Sequence, residues 1–293
     1  MATFVLPQTG VFALGTPIQT FYEFDLAEPR PDAATLLNVV RSLIVGVKTG
    51  QGSNVVVGVR PSLLATILPA QCPSGVHDFD ADVVGDDGFT MPATQHDLVV
   101  WVQSGRLDAA FDEGRRVLGL VAPIATLKHE NRGWNYHGNI DLTGFVDGTE
   151  NPAIVPAAEI CLVPDEPGRG ASILLLQAWR HDMAAWEAAG DKVQSEAIGR
   201  DKATDDELFP KPANAHNART DQDEVGKILR KNVPIGGATD PGTLFIGLCA
   251  KQSTLHTMLQ RMAGMNGEPR DALTYYTTAT TGAYYVLPAL TDL

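Results

Sequence analysis

Residues 243–250 read TLFIGLCA, residues 253–264 read STLHTMLQRMAG, and residues 281–288 read TGAYYVLP. The first and last runs are short, apolar and rich in β-branched or aromatic residues, which predicts buried strands. Between them Leu255, Met258, Leu259 and Met262 recur at helical spacing. Strand, helix, strand is therefore the reading of this end of the chain. Upstream, residues 171–179 (ASILLLQAW) give another buried strand, and residues 182–199 (DMAAWEAAGDKVQSEAIG) give a helix ending near Gly199.

The same order recurs in the first half. An apolar segment over 20–26 precedes a helix-like run over 33–47, in which Leu36, Leu37, Val40, Leu43 and Ile44 repeat at helical spacing. A strand at 53–60 (SNVVVGVR), a second at 96–102 (HDLVVWV), a helix at 106–121 and a last strand over 135–140 complete the half. Strands framing one helix, then strands framing another, occur twice. A doubly wound sheet would alternate strand and helix singly, so the order favours α+β: two ferredoxin-like units packed as a barrel-like pair, divided as 1–143 and 144–293. A polar stretch of about forty residues, 200–240, interrupts the second unit, and insertions of that length are usually functional or disordered.

Composition bounds the function. The chain has 293 residues, 44% of them hydrophobic, enough for a packed core. A formal net charge of −13 argues against a general binder of nucleic acid or anionic membranes, since its field repels phosphate. Cys72, Cys161 and Cys249 lie far apart without CxxC spacing, and the opening MATFVLPQTG lacks the features of a secretory signal. No apolar stretch reaches the roughly 20 residues that span a bilayer. A cytoplasmic protein is expected.

The string GFVDGTENP, residues 144–152, has strong turn chemistry, because Gly148 permits positive φ and Pro152 ends any pairing. Alone it reads as a plain connecting turn between the halves. Within the insertion, AHNAR (215–219) carries His216, and fourteen positions later comes Arg230 in LRKNVPIG (229–236). A loop histidine by itself is more often solvated than a ligand.

Taken together with PATQHDL (92–98), AIGR (197–200) and TTGAYYVLP (280–288), these strings resemble the dye-decolorising peroxidases. GFVDGTENP resembles their GxxDG signature, and the likeness runs over nearly the whole chain, to the compact bacterial B-type members above all. The resemblance implies one haem b per chain, lodged mainly in the C-terminal unit. It implies reduction of hydrogen peroxide, with dyes, phenols or other one-electron donors oxidised through a ferryl intermediate. His216 then matches the proximal iron ligand, a role suited to a neutral imidazole. Asp147 and Arg230 match the distal acid and arginine, and Asn232 matches a distal asparagine. Gly148 and Thr149 fall in the cofactor-contacting part of the motif. Asp271 matches the acidic partner that would accept the second ring N–H of His216; its other reading is a helix cap. A homo-oligomer is expected.

The remaining histidines show no ligand spacing to one another, and His96, on an apparent strand, reads as a half-buried core residue. Trp134, Tyr136, Trp179, Trp186, Tyr275, Tyr276, Tyr284 and Tyr285 could relay electrons from bulky dyes, although packing accounts for most aromatics. The given sequence reads LPALTDL directly after the last strand, and the C-terminal tail that packages some relatives in protein nanocompartments is not expected. The competing readings are a haem-binding or iron-handling protein with incidental peroxidase activity, and a haem-free small-molecule module.

Overall fold

In a computed structural model, residues 5–45 and 52–290 are described. The chain runs β1 (Ile18–Leu26), α1 (Ala33–Val45), β2 (Ser53–Val59), α2 (Pro61–Ile67), β3 (Val83–Val84), β4 (Thr90–Met91), β5 (Leu98–Ser104), α3 (Leu107–Val121) and β6 (Ala125–Trp134). It continues with α4 (Ile154–Cys161), β7 (Ser172–His181), α5 (Met183–Ile198), α6 (His216–Arg219), α7 (Gln222–Val225), β8 (Leu229–Gly237), β9 (Asp240–Cys249), α8 (Gln252–Ala263), β10 (Thr277–Ala279) and β11 (Ala283–Leu287).

The main sheet has the order β6-β1-β5-β2-β11-β7-β9-β8, with β10 paired to β7. Each half contributes four strands in which the last strand of the half lies beside the first, and the third beside the second. That is the ferredoxin-like α+β arrangement, present twice. The halves join where β2 meets β11, at Val59 opposite Val286.

Strand alternation explains the layers. In β5, Val99 and Trp101 point inward, where Trp101 stacks on Phe21 at 5.1 Å, while Leu98, Val100 and Val102 pack outward with Leu36, Val40 and Leu43 of α1 and Val117 and Val121 of α3. In β7, Leu174, Leu176 and Ala178 face inward, and Ile173, Leu175 and Trp179 face α8. One interior core thus draws on both halves. Tyr285 donates to buried Glu23 across it (2.7 Å), and burial pushes the Glu23 carboxyl up from its ordinary range.

The sheet curls until its end strands, β6 and β8, lie against each other. Gly133 makes the approach possible: a Cβ there would stand 2.0 Å from Val233 Cγ1 and 3.1 Å from the Pro234 carbonyl.

Several expected boundaries move. No strand occupies 135–140; instead β6 ends at Trp134, and positive φ at His137 and Gly138 turns the chain out of the sheet, leaving only a bridge between Ile140 and Val146. The polar stretch 200–240 holds β8, so the insertion proper is 200–228. The α5 helix is broken at Gly190 (φ 73°). His96 precedes β5 rather than lying in it; its Nδ1 meets Asp25 at 2.7 Å, while its Nε2 is buried without a partner. The helix expected over 33–47 is described to Val45, and the last two positions lie outside the described residues.

Closure of the barrel at Gly133 is testable. Gly133→Ala forces Val233 or the backbone to shift, and overpacking of this kind costs about 1–3 kcal/mol. The urea midpoint should fall with an unchanged m-value; an unchanged midpoint would show that β6 and β8 do not meet as described.

Candidate active site

The strand β8 is the last in the sheet order, so among the described residues one of its edges has no hydrogen-bonded strand partner. Backbone N–H and C=O groups there need other partners. The turn after residue 146 supplies them from side chains. Asn151 Oδ1 accepts from the Arg230 amide (2.9 Å), and its Nδ2 donates to the Arg230 carbonyl (2.7 Å). Asp147 Oδ2 accepts from the Asn232 amide (2.9 Å), and Asn232 Nδ2 donates to Oδ1 (3.1 Å). Two side chains thus stand in for a missing strand. Gly148, at φ 72°, makes the turn; a Cβ on it would lie 2.4 Å from Asn151 Nδ2.

This pairing brings Asp147, Arg230 and Asn232 together. Arg230 Nη1 lies 3.5 Å from Asp147 Oδ1, and Lys231 Nζ lies 3.5 Å from Oδ2. Asp147 is almost wholly buried, with 1% of its side chain exposed.

His216, the first residue of the one-turn α6, borders the same cavity as Arg230 and Asn232. Its Nδ1 is 2.7 Å from Asp271 Oδ2. Asp271 is fully buried, and its other oxygen accepts from the Leu273 amide at 2.9 Å, capping the short turn that follows. Both readings of Asp271 therefore hold in one residue. With Nδ1 committed, Nε2 of His216 is the ring atom left free for a ligand.

Beside these residues lies a chamber of about 840 Å³, counted with its open mouth. Its apolar lining includes Leu175, Trp179, Phe245, Leu255, Met258 and Met262. A smaller chamber of about 630 Å³ adjoins it, lined by Asp147, Thr149, Glu150 and Arg200. His216, Arg230, Asn232 and Asp141 border both. Gly148 shapes the turn without lining either chamber, and Asp271 stands behind His216.

Sequence reading missed several polar residues here. Asn139 and Asn151 secure the Asp147 turn: the Asn139 carbonyl accepts from the Asp147 amide (2.8 Å). Asp141, held by the Thr143 amide (2.9 Å), has its carboxyl pushed up by burial, with the Asp147 charge adding to the effect and the Thr143 donors opposing it. His181 sits between the hydroxyls of Thr277 (2.9 Å) and Thr243 (2.7 Å). Burial, with Arg180 nearby, drives its pKa down to about 4, so it stays neutral. Its place at the end of a buried strand, in line with Leu175, Gln177 and Trp179, was the available signal.

A mostly apolar chamber bordered by a free imidazole nitrogen, a guanidinium and an amide, with a buried carboxylate lining the adjoining space, could hold a flat redox cofactor through an axial histidine. Comparison with known proteins agrees. Residues 8–135 match the N-terminal family of Dyp-type peroxidases, and residues 138–292 match the C-terminal family. A dye-decolorizing peroxidase of Brevibacterium linens is 33% identical over 279 residues, which is 90% of this chain and 74% of that protein. A solved dye-decolorizing protein from V. cholerae superposes with a TM-score of 0.86 at 29% identity, covering 96% of both chains. A variant of DypB from Rhodococcus jostii RHA1, solved in complex with heme, gives 0.84 at 28% identity, over 98% of this chain and 95% of that one. The chain belongs to the Dyp-type peroxidase family.

The double role of Asp271 makes a prediction about stability. Asp271→Ala removes a cap, worth about 0.5–2 kcal/mol, and strips a partly buried ring nitrogen of its acceptor, worth up to about 1–3 kcal/mol more. Asp271→Asn keeps one acceptor oxygen and should lose less. Urea unfolding of both variants decides it; equal losses would show that the second acceptor contributes nothing.

Proposed function

We propose that this chain binds one haem b between His216 and the Asp147–Arg230–Asn232 wall, and uses it to reduce hydrogen peroxide while oxidising dyes, phenols or other one-electron donors. The observation that carries the reading is the geometry of His216: Nδ1 fixed by a fully buried carboxylate, and Nε2 left for the chamber. The residues fit the group. A neutral axial imidazole needs an acceptor at its other nitrogen, and a porphyrin needs the apolar walls that Leu175, Phe245 and Met258 supply. Thr149 and Arg230, on the chamber walls, are within the set that would hold the cofactor; Gly148 shapes that wall, and Asp271 acts through His216.

Haem, when bound, supplies the iron at which the O–O bond is broken and the oxidising equivalents that two one-electron donors later discharge. The protein's own share is proton movement and charge. Asp147 is the group that would take a proton from one peroxide oxygen and return it to the other. Arg230 holds no removable proton, so its fixed charge stabilises the peroxide anion and the departing oxygen. Asn232 keeps the Asp147 carboxylate oriented through its amide and side chain. Pure storage of haem would need the axial ligand and a dry cavity only, and the paired acid and guanidinium favour catalysis.

The same proposal divides the chain into 1–143 and 144–293, with the second unit carrying most of the pocket. It places the protein in the cytoplasm as a homo-oligomer. The free thiols Cys72, Cys161 and Cys249 support a reducing compartment, and among the described residues no helix is long and apolar enough to cross a membrane.

His216→Ala should lose most bound haem or show the spectrum of an exogenous axial ligand; a normal histidine-ligated spectrum with full activity would remove His216 from the role. On the opposite wall, Arg230→Leu should slow the reaction with peroxide about 10²–10³-fold, the cost of deleting one preorganised charge. Asp147→Ala should also slow it, by less, because water substitutes for a carboxylate more readily than for a guanidinium. Stopped-flow mixing, following the Soret band, measures both; a wild-type rate in Arg230→Leu would refute its electrostatic part, and a larger loss in Asp147→Ala would make proton transfer dominant.

A further inference from the structure

Two cations approach the Asp147 carboxylate, and only one of them borders the cavity. Alternation along β8 turns Arg230 and Asn232 toward the chamber and Lys231 to the opposite side of the strand. A residue on that side would ordinarily be cut off from the site. Asp147, however, lies at the free edge of β8, bonded to the Asn232 amide, so both faces of the strand can reach it. Lys231 Nζ does so at 3.5 Å from Oδ2, while Arg230 Nη1 stands 3.5 Å from Oδ1.

The ammonium is buried, with 8% of the side chain exposed, and its one hydrogen bond goes to Asn139 Oδ1 at 3.0 Å. Asn139 in turn holds the backbone of Asp147 through its carbonyl and Nδ2. A buried cation of this kind is costly unless a carboxylate compensates it. One carboxylate here serves two cations, so Lys231, Arg230 and ionised Asp147 together carry a net charge of +1 (two cations less one anion). Asp141, on the same loop, also borders the cavity, and burial pushes its carboxyl up from the ordinary range. His216 borders the same cavity as Arg230.

We infer that Lys231 is a positioning residue for the peroxide reaction: it balances Asp147 from behind the strand, so that the charge of Arg230 is left for an anionic ligand in the cavity. The ligand class is a small monovalent anion, the hydroperoxide anion in turnover or azide as a probe. The inference rests on the proposed haem-peroxidase reading.

The test uses haem-loaded wild type, Lys231→Met, Lys231→Gln and Lys231→Arg, with azide titrated at pH 7 and followed by absorption. Haem content is read first; a wild type that takes up no haem overturns the functional reading and this inference together. With haem bound, removing one unit charge several ångströms away in a half-buried site should weaken azide binding about tenfold in the Met and Gln variants. Lys231→Arg should stay within about threefold of wild type. The Gln variant retains an amide donor for Asn139, so it carries the test if Lys231→Met fails to fold. The peroxide rate should fall in step with azide affinity in the two uncharged variants. Unchanged azide affinity in the uncharged variants, or equal losses in Gln and Arg, would overturn the charge role while leaving the peroxidase reading intact.

Discussion

The free edge of β8 is the constraint on which the site depends. A terminal strand exposes unpaired amides and carbonyls, and proteins must cover such an edge or leave it open to wrong pairing. Here Asp147 and Asn151 cover it, and the covering places a carboxylate in the plane of the strand. From that position it meets side chains from both faces, Arg230 and Asn232 on one and Lys231 on the other. The proposed catalytic geometry and edge protection are one set of hydrogen bonds, so the turn is held by the same partners that the proposed chemistry requires.

The opposite wall is built with similar economy. Asp271 closes the turn after α8 with one oxygen and aligns His216 with the other. The imidazole orientation is thereby tied to the fold of the segment before β10. Between the walls, β7 and β9 provide a stiff floor because their other face forms the barrel interior, closed at Gly133.

Much of this was legible in the residues. Leu255, Met258 and Leu259 at helical spacing, and the apolar runs around Leu174 and Ile246, leave little choice of element or of face. The α+β order followed from them. The strand β8 was harder, since LRKNVPIGG mixes charge, proline and glycine and reads as insertion; its inward residues Leu229, Val233 and Ile235 pack only because the barrel closes. For β6 the difficulty was similar, because an edge strand carrying Lys128, Glu130 and Arg132 has no continuous apolar pattern. Among site residues, Asp147, His216 and Arg230 stood out through motif resemblance. Lys231 did not, since simple alternation points it away, and only the edge position of Asp147 brings the two together. His181 and Asp141 owe their environment to tertiary burial that no local pattern encodes.

The account turns on a haem seated between His216 and the β8 edge, where peroxide can react with it. The most direct test is an ultraviolet–visible spectrum of the purified wild-type protein, expressed with adequate haem, taken before and after one equivalent of hydrogen peroxide. A Soret band that shifts on addition of peroxide and returns when a phenol or dye is supplied is the predicted result. A protein that carries no haem, or a Soret band that peroxide leaves unchanged, would contradict it.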